Sequence, residues 1–116
     1  MASIVFTSAG GVEATSFKAT SFKATSTRMA KRNVQPTLYN GLDIINKTKV
    51  VDFIYREDEE NEPHVGFIAE ETDPILSSPN QEHMDINNCI GILIKAVQEL
   101  STKVDKLENE IKKLKE

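Results

Sequence analysis

The sequence predicts an α+β chain that ends in a long, self-associating helix, and three features predict it. From Ile86 to the C-terminus, apolar residues recur in an unbroken heptad register. Between residues 26 and 85, one helically spaced stretch and two strand-like stretches read as a small mixed head. Before that, residues 1–25 are rich in Ser, Thr, Ala and Gly and include the β-leaning "SIVFTS". The chain is thus divided into segments 1–25, 26–85 and 86–116.

The last segment is the least ambiguous. Ile90, Val97, Val104 and Ile111 occupy a positions, and Ile86, Leu93, Leu100, Leu107 and Leu114 occupy d positions. In a parallel, in-register assembly Lys103 faces Glu108 and Glu110 faces Lys115, both attractive pairs between neighbouring chains. β-branched a with Leu at d leans towards two strands, whereas Ile94 and Ala96 widen the apolar face and suit three. Heptads alone leave that choice open. Packing of the helix on its own domain fits the first turns, around Gly91, Ile92 and Ile94, and fits the later ones poorly.

In the middle segment, "TLYNGLDIINKT" spaces Leu38, Leu42 and Ile45 helically after Pro36, which predicts a short helix. "KVVDFIYR" alternates Val51, Phe53 and Tyr55 with Asp52 and Ile54, the period of a strand. "HVGFIAEE" reads as its hairpin partner across the acidic run Glu57–Glu62, a solvated loop, with Gly66 marking a bulge or a close backbone approach. "DPILSSPNQ" reads as proline-punctuated loop.

The first segment carries the pentapeptide Ala-Thr-Ser-Phe-Lys twice, from Ala14, and a third copy that breaks at Thr27 and Arg28. Five is an odd period, so Phe17 and Phe22 would face opposite sides of one strand. Five residues turn a helix by about 140°, which gives no shared stripe either. Short strands separated by bends fit the repeat, as does a flexible Ser/Thr linker.

Composition excludes several functions. At 116 residues, with 6% aromatics and no Trp, the chain has little core of its own and suits completion by partner chains. The net charge of −4 hides a basic arm, Lys18, Lys23, Arg28, Lys31 and Arg32 against Glu13 alone up to residue 34. That arm lacks a nucleic-acid-binding module, and Glu82, His83 and Asp85 stand where a zipper factor needs basic residues, so no nucleic acid is expected. "MASIVFTSAGG" lacks the basic start and apolar core of a signal peptide, and no stretch suits a membrane helix; a soluble chain without export signal is expected. His64 and His83 lack a ligand cluster, so no metal and no cofactor are expected. Cys89 reads as a buried small residue of the helix rather than a nucleophile.

Where the repeat breaks, Ser26 and Lys31 stand five residues apart. A serine hydroxyl is a weak nucleophile until a base takes its proton, and a lysine amine does so only when neutral. Burial or adjacent cations favour that form, and Arg28 and Arg32 bracket Lys31. Asn33 offers an amide donor for a developing oxyanion. Such a spacing alone is no signal.

Its company makes it one. Ser26-x4-Lys31-x-Asn33-Val34, then "HVGFIAEE", then "ILIKAVQELSTKVDKLENEI" together resemble the C-terminal intramolecular chaperone domain of bacteriophage tail spikes, tail fibres and neck appendages. This is a self-cleaving serine peptidase family with a relative in the myelin regulatory factor of animals, and the resemblance covers residues 26–112. It implies a homotrimer of identical chains that aligns the upstream fibre shaft and then severs itself, each molecule cutting once. Residues 1–25 are then the end of an intertwined β-structured shaft, 26–85 the head with the cleavage site, and 86–116 the trimerisation helix. Ser26, Lys31 and Asn33 take the catalytic roles, and the bond cut is Ser26–Thr27. Cleavage before Ser26 stays open, because a serine reaches the preceding carbonyl through a five-membered ring and its own through a four-membered one. The family pattern has Asp after the serine; Thr27 stands there instead, which implies slower processing. Assembly is implied in the host cytoplasm, with the fibre ending in the virion and the chaperone released. The rival is a passive trimerisation foldon or adhesin stalk, which needs the seam but neither Ser26 nor Lys31.

Overall fold

The computed structural model describes Val5, Phe6 and residues 10–116. The chain divides into two compact units, Met1–Pro36 and Thr37–Glu116. That division lies inside the 26–85 head read from sequence.

In the first unit β1 (Val5–Phe6) pairs antiparallel with β2 (Val12–Glu13), setting Val5 opposite Glu13 and Phe6 opposite Val12. The rest of "SIVFTS" lies outside the described residues. Gly10, at φ 83, takes a left-handed backbone that glycine adopts without Cβ strain. The repeat forms no regular strand or helix. It bends at Thr15 and Thr20, the threonine of each complete copy. With a bend between them, Phe17 and Phe22 are not held to opposite faces: their rings meet edge to face at 5.8 Å. Both remain exposed.

In the second unit α1 (Gly41–Lys47) lies against α2 (Ile86–Lys115), and β3 (Val51–Phe53) pairs antiparallel with β4 (His64–Gly66). The Asn40 side chain caps α1 by accepting from the Asp43 N–H at 3.0 Å, and Asp43 pairs with Lys47 one turn on. Helix α1 therefore starts later than the Leu38, Leu42, Ile45 spacing implies. Leu38 lies outside it at 96% exposure, and the buried residues are Gly41 and Ile44. The reason is contact: a Cβ on Gly41 would sit 2.7 Å from the Ala96 backbone nitrogen and 2.8 Å from the Ile92 carbonyl oxygen. Only glycine lets the two backbones approach so closely.

The hairpin forms but is shorter than the alternation implies: β3 ends at Phe53, before Ile54 and Tyr55, β4 ends at Gly66, and Ala69–Glu71 turn as 3-10; Val51 lies opposite Gly66 and Phe53 opposite His64. Pairing at Gly66 is regular, so there is no bulge. The close neighbour is a side chain, because a Cβ there would lie 3.3 Å from the Phe53 ring. The acidic connection folds on Asp58, whose carboxylate accepts from the Glu60 and Glu62 N–H groups.

The segment after β4 is more than a loop. Leu76 and Ser77 are the most buried side chains, and Leu76 joins Ile44 and Ile92 in the core, flanked by Ile45, Phe67, Ile75 and Cys89. Two bonds fix this turn to the start of α2: the Asp85 N–H donates to the Leu76 carbonyl and the Asn88 amide to the Ile75 carbonyl, each at 2.9 Å. Asp85 also caps α2 through the Asn88 N–H.

The fold is α+β, with two small antiparallel sheets and one long helix. Among the described residues no helix is long and apolar enough to cross a membrane.

Candidate cleavage site

Ser26 and Lys31 are joined by one tight turn. Thr27 is extended, Arg28–Ala30 form a single 3-10 turn, and Lys31 is extended again. The Ala30 N–H donates to the Thr27 carbonyl at 3.2 Å and the Lys31 N–H to the Arg28 carbonyl at 3.1 Å. A compact turn flanked by extended residues folds positions five apart back onto each other. Lys31 Nζ consequently donates to Ser26 Oγ at 2.7 Å. That is within reach for direct proton transfer between hydroxyl and amine.

Asn33 follows at a bend, with φ 55, a left-handed conformation that Asn tolerates better than most residues. Among the described residues no hydrogen bond ties it to the serine–lysine pair. Ser26, Lys31 and Asn33 are all exposed, as are Arg28 and Arg32. The local backbone thus makes the pair without making a closed pocket around it.

Residues 26–80 match the family described as chaperone of endosialidase. Its name classes it among peptidases, and its first matched residue is Ser26. A comparison with curated proteins finds no match. The chaperone match excludes the pentapeptide repeat, and it stops before α2.

Helix α2 presents two different faces. The chaperone head covers one, burying Ile92 and Ala96 to 6% and 5% exposure. The heptad seam lies about 110° further round. Along it Ile90, Leu93, Val97, Leu100, Val104, Leu107 and Ile111 are 43–64% exposed, and Leu114 87%. Ala96 is therefore taken by its own chain and does not widen the seam, whereas Ile94 stays 55% exposed.

Sequence reasoning missed what joins head to helix. The Glu99 carboxylate accepts the Gly41 N–H at 2.7 Å, a charge-assisted bond at the N-terminus of α1. Asn40-Gly41 was the visible signal, since that pair marks a sharp change of backbone direction.

Elsewhere, His64 stacks on Phe53 at 5.5 Å and meets Tyr55 at 5.1 Å, an aromatic role. Among the described residues no group of three or more His, Cys, Asp or Glu is placed to hold a metal ion. Cys89 is half-buried beside the Leu76 carbonyl; burial, then the nearby Asp85 charge, pushes its thiol above the usual range.

Proposed function

We propose that this chain is an intramolecular chaperone that brings three identical fibre chains into register through the 86–116 helix and then cuts itself away beside Ser26. The observation that carries this is the 2.7 Å contact between Lys31 Nζ and Ser26 Oγ at the first residue of the chaperone match. The open seam of α2 supports self-association, because a stripe of half-exposed Ile, Val and Leu calls for a partner.

In the proposed reaction neutral Lys31 takes the Ser26 hydroxyl proton as Oγ bonds to a peptide carbonyl carbon. The tetrahedral oxyanion is stabilised by the Asn33 amide. The C–N bond then breaks as Lys31 returns the proton to the leaving amine, and water hydrolyses the ester, regenerating Ser26. Attack by a neighbouring chain's Ser26 cuts Ser26–Thr27; attack on the preceding carbonyl of the same chain cuts Thr25–Ser26. A lysine amine serves as a base only in its neutral form, which burial favours. Burial of the pair on assembly would activate it, so cleavage follows trimerisation. The upstream shaft would remain in the virion and the chaperone be released in the host cytoplasm. No nucleic acid, membrane, metal or cofactor takes part.

The test is a precursor carrying more shaft upstream of Ala14. Wild type should give a fragment beginning at Thr27 or Ser26, which intact mass distinguishes. Ser26→Ala and Lys31→Ala should stay whole while still forming trimers. Processing of both at the wild-type rate would refute the pair and leave the passive foldon.

A further inference from the structure

The residues flanking the seam change character where the head ends. On the g flank Cys89 and Ala96 give way to Lys103 and Glu110; on the e flank Ile94 gives way to Ser101, Glu108 and Lys115. Ile94 is the sole large apolar residue on the e flank, and it lies at the level of the head. It is 55% exposed, and no residue of its own head covers it in the way that Ile92 is covered.

The head, meanwhile, sits on the opposite flank of the same helix. It packs over Cys89, Ile92, Ala96 and Glu99, all at g or c. In a parallel, in-register coiled coil each g position faces the e position five residues further along the next chain. Cys89 then faces Ile94 of the neighbouring copy. Cys89 borders the core of Ile44, Leu76 and Ile92 and is itself only half-buried.

We infer that each head docks on a second copy of the chain, its Cys89 edge packing against the neighbour's Ile94. The head is thereby held between two helices, its own and the next. This would make it part of the interface rather than an appendage, and it explains why the flanks are apolar beside the head and charged below it. The lower pairs, Lys103 with Glu108 and Glu110 with Lys115, set the register that the docking requires. The inference rests on the parallel self-association proposed above.

Because Cys89 is the chain's only cysteine, Ile94→Cys places one thiol on each side of the proposed contact. A short bis-maleimide should convert this variant into covalently linked trimers on a denaturing gel, each chain joined to both neighbours. Wild type, with Cys89 alone, should give none. Bridging within one chain leaves a monomer band, so it cannot imitate the result. Light scattering on the same samples separates the two ideas. Trimers without interchain bridging would overturn the docking and leave self-association standing, whereas monomers would overturn both. As a second measure, Ile94→Lys should lower the melting temperature of the trimer by several degrees and Asn109→Lys, on the exposed outer face below the head, should leave it nearly unchanged. Equal effects of the two would also overturn the docking.

Discussion

Replacing Gly41 by alanine tests the contact that holds head to helix. The added methyl would lie 2.7 and 2.8 Å from two backbone atoms of α2 and 3.1 Å from the Lys95 Cβ. Backbone cannot swing aside, so α1 must retreat by roughly 0.7 Å to reach ordinary contact, a gap that forfeits a quarter to a half of the local dispersion attraction. Overpacking of this kind costs about 1–3 kcal/mol. The same retreat stretches the 2.7 Å bond from the Gly41 N–H to Glu99, and charged hydrogen bonds are worth about 1.5–3 kcal/mol when intact. Against this, alanine in a helix gains about 0.5–1 kcal/mol over glycine. The net expectation is a loss of about 2–3 kcal/mol, or at least roughly 10 °C in the melting of the head. Near-ultraviolet circular dichroism of Tyr39 and Tyr55 follows that unit, since both tyrosines lie in it. Gly91→Ala is the control. A Cβ at Gly91 meets nothing within 4 Å, so the substitution should stabilise the helix by about 0.5–1 kcal/mol. A Gly41→Ala melt within a degree or two of wild type would refute the close packing of α1 on α2.

Leu107→Asp puts a charge into the seam and should yield monomers by light scattering, with no cleavage of a longer precursor despite an intact Ser26–Lys31 pair; efficient cutting in that monomer would disprove the dependence on assembly. Asn33→Gly retains the left-handed backbone and removes the amide, so precursor cleavage should fall by about 100-fold or more if the amide holds the oxyanion; wild-type cleavage would show that Asn33 serves the turn alone. Cys89 should alkylate slowly at neutral pH and faster as pH rises or on addition of denaturant, and fast labelling of the folded chain would contradict its half-buried setting. Its folded thiol holds its proton more tightly than an unfolded one. That contribution to stability is full below the pH where a free thiol titrates and disappears as pH rises through the raised folded value.

The elements with a clean period were the legible ones. The heptads from Ile86 mark a real helix, and the alternation from Val51 marks a real strand that ends at Phe53, before Tyr55. Helix α1 was displaced in the reading because its position is decided by a tertiary event, the seating of Gly41 on Ile92 and Ala96. Leu76 and Ser77 were invisible for a similar reason. Leu76 packs on Ile44 and Ile92, and bonds from Asp85 and Asn88 to the Leu76 and Ile75 carbonyls hold the turn in place; a proline-rich local sequence carries no trace of either. At the cleavage site the spacing of Ser26 and Lys31 was plain, but their contact depends on the 3-10 turn between them, and no periodic pattern announces one short turn.

The two faces of α2 bear on how folding and cleavage are ordered. A head that packs on Ile92 and Ala96 leaves the seam open, so a single chain can complete its own core before it meets another. The serine–lysine contact is likewise local, made across one turn within one chain. Neither step consumes the surface that assembly needs. What one chain lacks is shelter, since Ser26, Lys31 and Asn33 all face solvent. Assembly would supply that shelter last, after register has been set by the heptads. A fibre cut earlier would lose the helix that aligns its strands, whereas a fibre cut after alignment would have to disentangle three intertwined chains to come apart, a barrier that is kinetic in kind. An exposed pair in the single chain is therefore what a device that must wait for its partners requires.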